Sequence, residues 1–213
     1  MANNCFVAIS GNIGVGKTTW TKYLSRHFGC VPHFEKVIEN PYIEDFYHQM
    51  DRWGFHSQIF FLTQRLKIHL EIQQSRQACI QDRTIYEDCE IFARNLFDSG
   101  TMSERDFNCY YDFYETVIKF LRYPDVLLYL RSSIDGLISR IKMRGRGYEA
   151  EIPIEYLKQL NQSYDRWVQR MEQYTKIVII DTEKVDILQQ NTAFQKTLSK
   201  LGALLKLPDV HDC

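Results

Sequence analysis

Apolar residues gather in five short runs, at 5–10, 30–34, 78–82, 125–130 and 176–181, and each run predicts a β-strand. The last two contain unbroken apolar stretches, Val126-Leu127-Leu128-Tyr129-Leu130 and Ile177-Val178-Ile179-Ile180, the pattern of strands buried on both faces. Between the runs, segments 16–28, 41–50, 54–76, 85–99, 103–121, 133–144, 152–173 and 186–205 read as helices. In the segment 54–76, Phe55, Ile59, Leu62, Leu66 and Leu70 form an apolar stripe. Strands that alternate with helices predict an α/β fold, a parallel sheet flanked by helices on both faces. Helix content is high, and several connections carry two helices. The chain has only 10 glycines and 5 prolines, so its loops are short. With no repeat, low-complexity tract or linker, residues 1–213 read as one domain.

Charge narrows the function classes. Lys and Arg total 26 and Asp and Glu 27, a net charge of −1 that gives no sign of nucleic-acid or membrane-surface binding. No apolar stretch reaches the length of a membrane span. The six cysteines, Cys5, Cys30, Cys79, Cys89, Cys109 and Cys213, form no C-x-x-C pair. They fit reduced, mostly buried thiols in the cytoplasm, not a zinc site. Met1-Ala2-Asn3-Asn4 leads directly into the first strand without a basic segment or an apolar signal core, which agrees with a cytoplasmic location.

The first strand runs into Gly11-Asn12-Ile13-Gly14-Val15-Gly16-Lys17-Thr18-Thr19, which fits the phosphate-binding pattern G-x-x-x-x-G-K-[ST]. The flanking strand and helix are what the chemistry requires. Gly11, Gly14 and Gly16 let the backbone wrap around a phosphate with its N–H groups inward, and the helix start adds its positive end. Lys17 reaches the β- and γ-phosphates, and the Thr18 hydroxyl suits Mg²⁺. The bland alternative is a glycine-rich turn with an incidental lysine.

Other candidates fall at the same edge of the sheet, where ligands bind in open parallel sheets. The strand 78–82 ends in Asp82-Arg83-Thr84. Asp82 can face the Mg²⁺ near Thr18, and Arg83 can stabilise a transferring phosphoryl group. Taken alone, the Asp-Arg pair reads as a structural ion pair. Glu35 follows the second strand and can accept a proton from an attacking hydroxyl; on position alone it reads as a solvated loop acid. Arg140-Ile141-Lys142-Met143-Arg144-Gly145-Arg146 crowds four cations into seven residues, a flap for a polyphosphate or a solvated basic face. Gln58 and Arg65 lie about 20° apart on one helix face, with Phe61 and Leu62 beside them. Asp88 and Phe92 are at i, i+4 on the next helix. An amide, an ion pair and an aromatic ring suit a base pocket, or a buried pair that only fixes packing. Apart from the ambiguous pair His27 and His33, the six histidines show no metal-ligand spacing, and all read as structural or solvated.

Together these residues resemble the deoxyribonucleoside kinases. The resemblance rests on the loop 11–19, on Glu35-x-Val37-x-Glu39-Asn40-Pro41-Tyr42, and on Trp53-Gly54-Phe55-x-x-Gln58 with Arg65. It continues with Asp82-Arg83-Thr84-x-Tyr86-x-Asp88-x-x-Ile91-Phe92, Arg140-x-x-x-Arg144-Gly145-Arg146 and Ile152-Pro153-x-Glu155-Tyr156-Leu157. It implies a P-loop kinase fold with a five-stranded parallel sheet, a homodimer, and transfer of the γ-phosphoryl group of ATP to the 5′-hydroxyl of a deoxynucleoside. By the resemblance ATP and Mg²⁺ occupy the loop under an arginine lid at 140–146, and the loop after Asp181 touches the adenine. Glu35 matches the general base, Arg83 holds that carboxylate and the phosphoryl oxygens, and Asp82 binds the metal through water. Tyr47 and Glu149 match the residues on the sugar 3′-hydroxyl; Gln58 reads the base, Phe92 stacks on it and Val37 lines the pocket. Lys36 departs from the small residue or proline that often follows the base. Arg65 and Asp88 stand where thymidine-accepting members look apolar, which points to deoxyadenosine first, with deoxyguanosine and deoxycytidine behind it. The competing readings are a nucleoside monophosphate kinase of the thymidylate kinase type and a P-loop switch protein.

Overall fold

The computed structural model of the protein describes residues 5–35 and 39–205. Val37 and Lys36 lie outside the described residues, as does Cys213. Strands β1 (Phe6–Ser10), β2 (Val31–His33), β3 (Cys79–Asp82), β4 (Val126–Arg131) and β5 (Lys176–Asp181) form one sheet in the order β2-β3-β1-β4-β5. Every pairing is parallel, with β1 central between β3 and β4. All carboxyl ends therefore emerge at one edge, which gathers Gly11, Glu35, Arg83 and Thr182 from four separate connections.

Alternation along β1 divides the core. Phe6 and Ala8 face one cluster, Val7 and Ile9 the other, all with no exposed surface. The second cluster is closed by α1 (Lys17–Phe28), through Trp20, Leu24 and Phe28, and by α9 (Thr192–Leu205), through Phe194, Leu198 and Leu201. The first is closed by α3 (Met50–Gln74), α6 (Glu104–Ile118) and α8 (Ile154–Met171), which supply Leu62, Ile72, Tyr110, Leu160 and Trp167. Each buried side chain of this kind contributes about 1.5–3 kcal/mol, so the sheet depends on both helical layers. Short helices α2 (Ile43–His48), α4 (Ile85–Glu87) and α5 (Arg94–Asp98), with the longer α7 (Ile134–Arg144), border the carboxyl edge or lead away from it. Among the described residues no helix is long and apolar enough to cross a membrane, and Cys5, Cys30, Cys79, Cys89 and Cys109 are free thiols.

The sequence expectations fail in four places. β4 is buried on both faces, but β5 is an edge strand whose Ile179 is 57% exposed while Val178 and Ile180 are buried. The predicted helix 54–76 starts earlier, at Met50, because Gly54 packs inside it against Leu96 instead of opening it. Its buried face is also different: Gln58, Leu62, Arg65, His69 and Ile72 face inward, whereas Phe55, Ile59 and Leu66 are only half-buried and Leu70 is exposed. The segment 85–99 is interrupted by a π-helical turn, Asp88–Ala93, between α4 and α5. The last helix begins at Thr192 instead of 186, because the Asn191 side chain accepts from Phe194 N–H and caps it there.

Candidate active site

The glycine loop leaves β1 and enters α1 with Gly11, Gly14 and Gly16 at φ of 144°, 82° and 103°. No side chain caps α1, which leaves its first N–H groups to face an anion. Gly14 is where the loop meets α7: a β-carbon there would lie 2.7 Å from Ile141 and 2.9 Å from the Leu137 carbonyl. Lys17 is buried, and its ammonium donates to the Gly11 and Asn12 carbonyls at 2.8 and 3.0 Å. Burial and then the nearby Arg83 lower its pKa to about 8 against the pull of Asp82, Glu35 and Glu87. The Asn12 side chain turns away from the cavity to the Leu157 carbonyl and Asn161, so Asn12 shapes the loop and offers no side-chain contact to a ligand.

Beyond the loop lies a cavity of about 640 Å³. Ile13 to Thr19 line it at one end, and Tyr47, Gln58, Asp88 and Phe92 line its far wall. Glu35 is between them. Its Oε1 is 2.5 Å from the Arg65 guanidinium and 3.2 Å from Arg83 Nε. Burial would raise the Glu35 pKa, but Arg83, Arg65 and Lys17 outweigh it and pull the carboxyl down to about 2. Glu35 is therefore ionised at any working pH and lines the cavity that the phosphate loop and the far wall share.

Arg65 does not reach that wall. It is 1% exposed and lies behind Glu35 and Asp88, not along the cavity, a correction to its expected place among substrate contacts. Its Nε is 3.2 Å from Asp88 Oδ2 without a hydrogen bond, and both atoms have no hydrogen-bond partner. Burial raises the Asp88 pKa to about 7 despite Arg65 and Arg83. Gln58 Oε1 is likewise buried without a partner. Asp88 Oδ2 is thus held in its ion pair with Arg65, and Gln58 Oε1 is left without a donor, on residues that line the far wall. Phe92 is beside them, with the Arg83 guanidinium 4.1 Å above its ring centroid.

Asp82 is also off the cavity wall, as is Gly11. Thr18 Oγ1 donates to Asp82 Oδ2 at 2.6 Å, and Asp82 Oδ1 is buried without a partner. Burial raises the Asp82 pKa, Lys17 opposes this, and Glu35 adds to it. Among the described residues no cluster of three or more His, Cys, Asp or Glu suits a metal. One hydroxyl and one carboxylate are still an all-oxygen set that fits Mg²⁺, which takes few protein ligands and fills the rest with water and phosphate oxygens.

The basic flap finds its counter-charge inside the protein. Glu149, 3% exposed on its side chain, accepts from Arg144 Nε at 2.8 Å and from Arg146 at 3.1 Å, within a 3₁₀ turn (Gly147–Glu151). Arg140 instead donates to Ser132 Oγ and the Thr182 carbonyl at 2.9 and 3.2 Å. Tyr148 of the same turn stacks on Tyr47 at 5.8 Å, which joins the flap to α2. All three arginines line the cavity with Glu149 and the 182–188 loop.

A sequence profile of the deoxynucleoside kinase family matches residues 7–206. The chain belongs to that family. It is 33% identical over 204 residues to the deoxyadenosine/deoxycytidine kinase of Bacillus subtilis (strain 168), covering 95% of this chain and 94% of that one. It is 37% identical over 181 residues to the deoxyadenosine kinase of Dictyostelium discoideum, covering 84% and 74%. The solved deoxyadenosine kinase of M. mycoides with bound dATP superposes with a TM-score of 0.80 at 33% identity, over 92% of this chain and 99% of that one. This deoxynucleoside kinase thus has the P-loop kinase fold expected from its motifs.

Sequence reasoning passed over one group in this kinase that stands at the centre of the site's scaffold. Glu87 is wholly buried and accepts from Ser10, Thr84 and Tyr164. The local signal was available, since Thr84-x-x-Glu87 is a capping box. Glu183 was missed as well: it accepts from the Ser133 N–H at the start of α7 at 2.8 Å.

Proposed function

We propose that this deoxynucleoside kinase uses ATP to phosphorylate the 5′-hydroxyl of deoxyadenosine in preference to other deoxynucleosides. The carrying observation is Glu35, clamped ionised by Arg83 and Arg65 between the phosphate loop and the far wall of one cavity. A carboxylate there accepts a hydroxyl proton and repels an acceptor that already bears phosphate, which disfavours a monophosphate kinase. In a loose phosphoryl-transfer transition state the nucleophile's proton moves late, so a weakly basic carboxylate serves mainly by orienting the O–H. Arg83 and Lys17 supply positive charge to the transferring group, and the flap arginines Arg140, Arg144 and Arg146 close over the donor. Tyr47 and Glu149 hold the sugar.

The base preference is read from Gln58 Oε1, which lacks a donor: adenine or cytosine provides an exocyclic amino group where thymine has a carbonyl. Phe92 stacks on the base. Thr18 and Asp82 would hold Mg²⁺, which neutralises charge on the polyphosphate. The protein is a cytoplasmic homodimer in this reading. Half-buried Phe55, Ile59 and Leu66 with exposed Leu70 on α3 support the dimer, as do Phe113 (44% exposed) on α6 and Phe120 (75%) just beyond it.

The test is turnover with Mg-ATP and each of the four deoxynucleosides, with the corresponding monophosphates as alternative acceptors. Deoxyadenosine gives the highest kcat/KM and thymidine the lowest. Transfer to monophosphates alone would overturn the reading.

A further inference from the structure

Arg83 occupies an unusual backbone state. Its φ is +66°, and among the described residues only Gln190 is another non-glycine with positive φ. An arginine held there is strained unless neighbouring bonds fix it. On one side the Arg83 N–H donates to the Ile9 carbonyl at 2.9 Å. On the other side the bonds converge on Glu87. Its Oε1 accepts from Thr84 N–H at 2.9 Å, from Thr84 Oγ1 at 3.1 Å and from Ser10 Oγ at 2.7 Å, and its Oε2 accepts from Tyr164 O–H at 2.8 Å. One carboxylate with no exposed surface thereby ties the last residue of β1, the turn after Arg83 and helix α8 into one frame. All four donors are uncharged. A carboxylate buried with only uncharged donors is costly to keep, so its retention calls for a role beyond packing.

We propose that Glu87 is a positioning residue for Arg83: it locks the left-handed turn that aims the guanidinium at Glu35 and at the phosphoryl group leaving the glycine loop. Because Ser10 directly precedes Gly11, the same carboxylate fixes that guanidinium relative to the start of the phosphate loop. The charge of Glu87 also favours the protonated forms of Lys17 and Arg83. The inference rests on the kinase reading given above.

The test is a double-mutant cycle between Glu87→Gln and Arg83→Lys, which keeps the charge of Arg83 and removes its fork. Glu87→Gln retains an acceptor for Ser10 and Thr84 and loses the charge and the second acceptor. Alone it lowers kcat about 10–100-fold with both KM values within about threefold of wild type. In the Arg83→Lys background the same change costs less than about threefold, because the aimed group is already gone. An unchanged kcat in Glu87→Gln, or an equal fold loss in both backgrounds, overturns the proposal; the latter marks a structural effect alone. Should Glu87→Gln fail to fold, Tyr164→Phe replaces it in the cycle with an expected loss of about 3–10-fold, and wild-type kcat in that variant overturns the proposal. A wild-type enzyme that phosphorylates no deoxynucleoside would instead remove the underlying kinase reading.

Discussion

Glu35 and Asp88 flank the same arginine, and although burial raises both carboxyls, their neighbours send them in opposite directions. Glu35 faces Arg83, Arg65 and Lys17 together, so its carboxyl falls to about 2; Asp88 has weaker compensation and rises to about 7. The two leave separate marks on stability. Glu35 stabilises the fold above its ordinary 4.5, and that contribution disappears as pH falls towards 2. Asp88 binds its proton more tightly folded than unfolded, so its contribution is fully present below its ordinary 3.8 and is lost as pH rises towards 7. Urea unfolding of wild type and Asp88→Asn at several pH values checks this. Wild-type stability relative to the variant increases on going from pH 8 to pH 5; a constant or shrinking difference contradicts the burial argument. Glu35, Asp82 and Arg83 were legible in the sequence because strand ends of a parallel sheet converge at one edge. The pairing of Arg65 with Asp88 was legible too, but the place of Arg65 behind the cavity was not, since spacing places a residue on a helix face without saying what the face meets. Glu87 announced itself only as a cap; Ser10 and Tyr164, each 77 residues away, meet it only in the fold.

At the level of elements, the glycine loop and the flap helix are one mechanical unit. Gly14 packs so closely on Ile141 and Leu137 of α7 that any side chain displaces the helix carrying Arg140 and Arg144. Its φ of 82° adds backbone strain. Gly14→Ala therefore raises KM for ATP at least about tenfold and lowers unfolding free energy by about 1–3 kcal/mol, measured by kinetics and denaturation. An unchanged KM would show that loop and flap move independently. The flap's clustered cations led sequence reasoning to expect an arriving anion; Glu149, only a few residues further on, already supplies one. The π turn at Asp88–Ala93 escaped prediction because it breaks no apolar period, yet it bears both Asp88 and Phe92. The stripe on α3 is met by the core only in part: Leu62 is inside it, Phe55, Ile59 and Leu66 pack against it half-buried, and Leu70 is exposed.

For the whole molecule, exposed apolar side chains are the argument for a second copy. Leu70 and Phe113 are exposed at 41% and 44% on α3 and α6, which already pack together, and Phe120 at 75% just beyond α6. Sedimentation equilibrium gives a mass of about twice 25.3 kDa, and a monomer mass at tens of micromolar would remove this surface from the account. The two-layered core and the 2-3-1-4-5 order serve a single end: they bring an anion-binding loop, an arginine and a carboxylate from three strand ends to one point. The most direct measurement of that convergence is kcat of Glu35→Gln at saturating ATP and deoxyadenosine. The account predicts a fall of about 10²–10⁴-fold with the protein still folded, the range for a positioned proton acceptor. Turnover close to wild type, alongside an inactive Asp82→Asn, would contradict it and move the proton to Asp82.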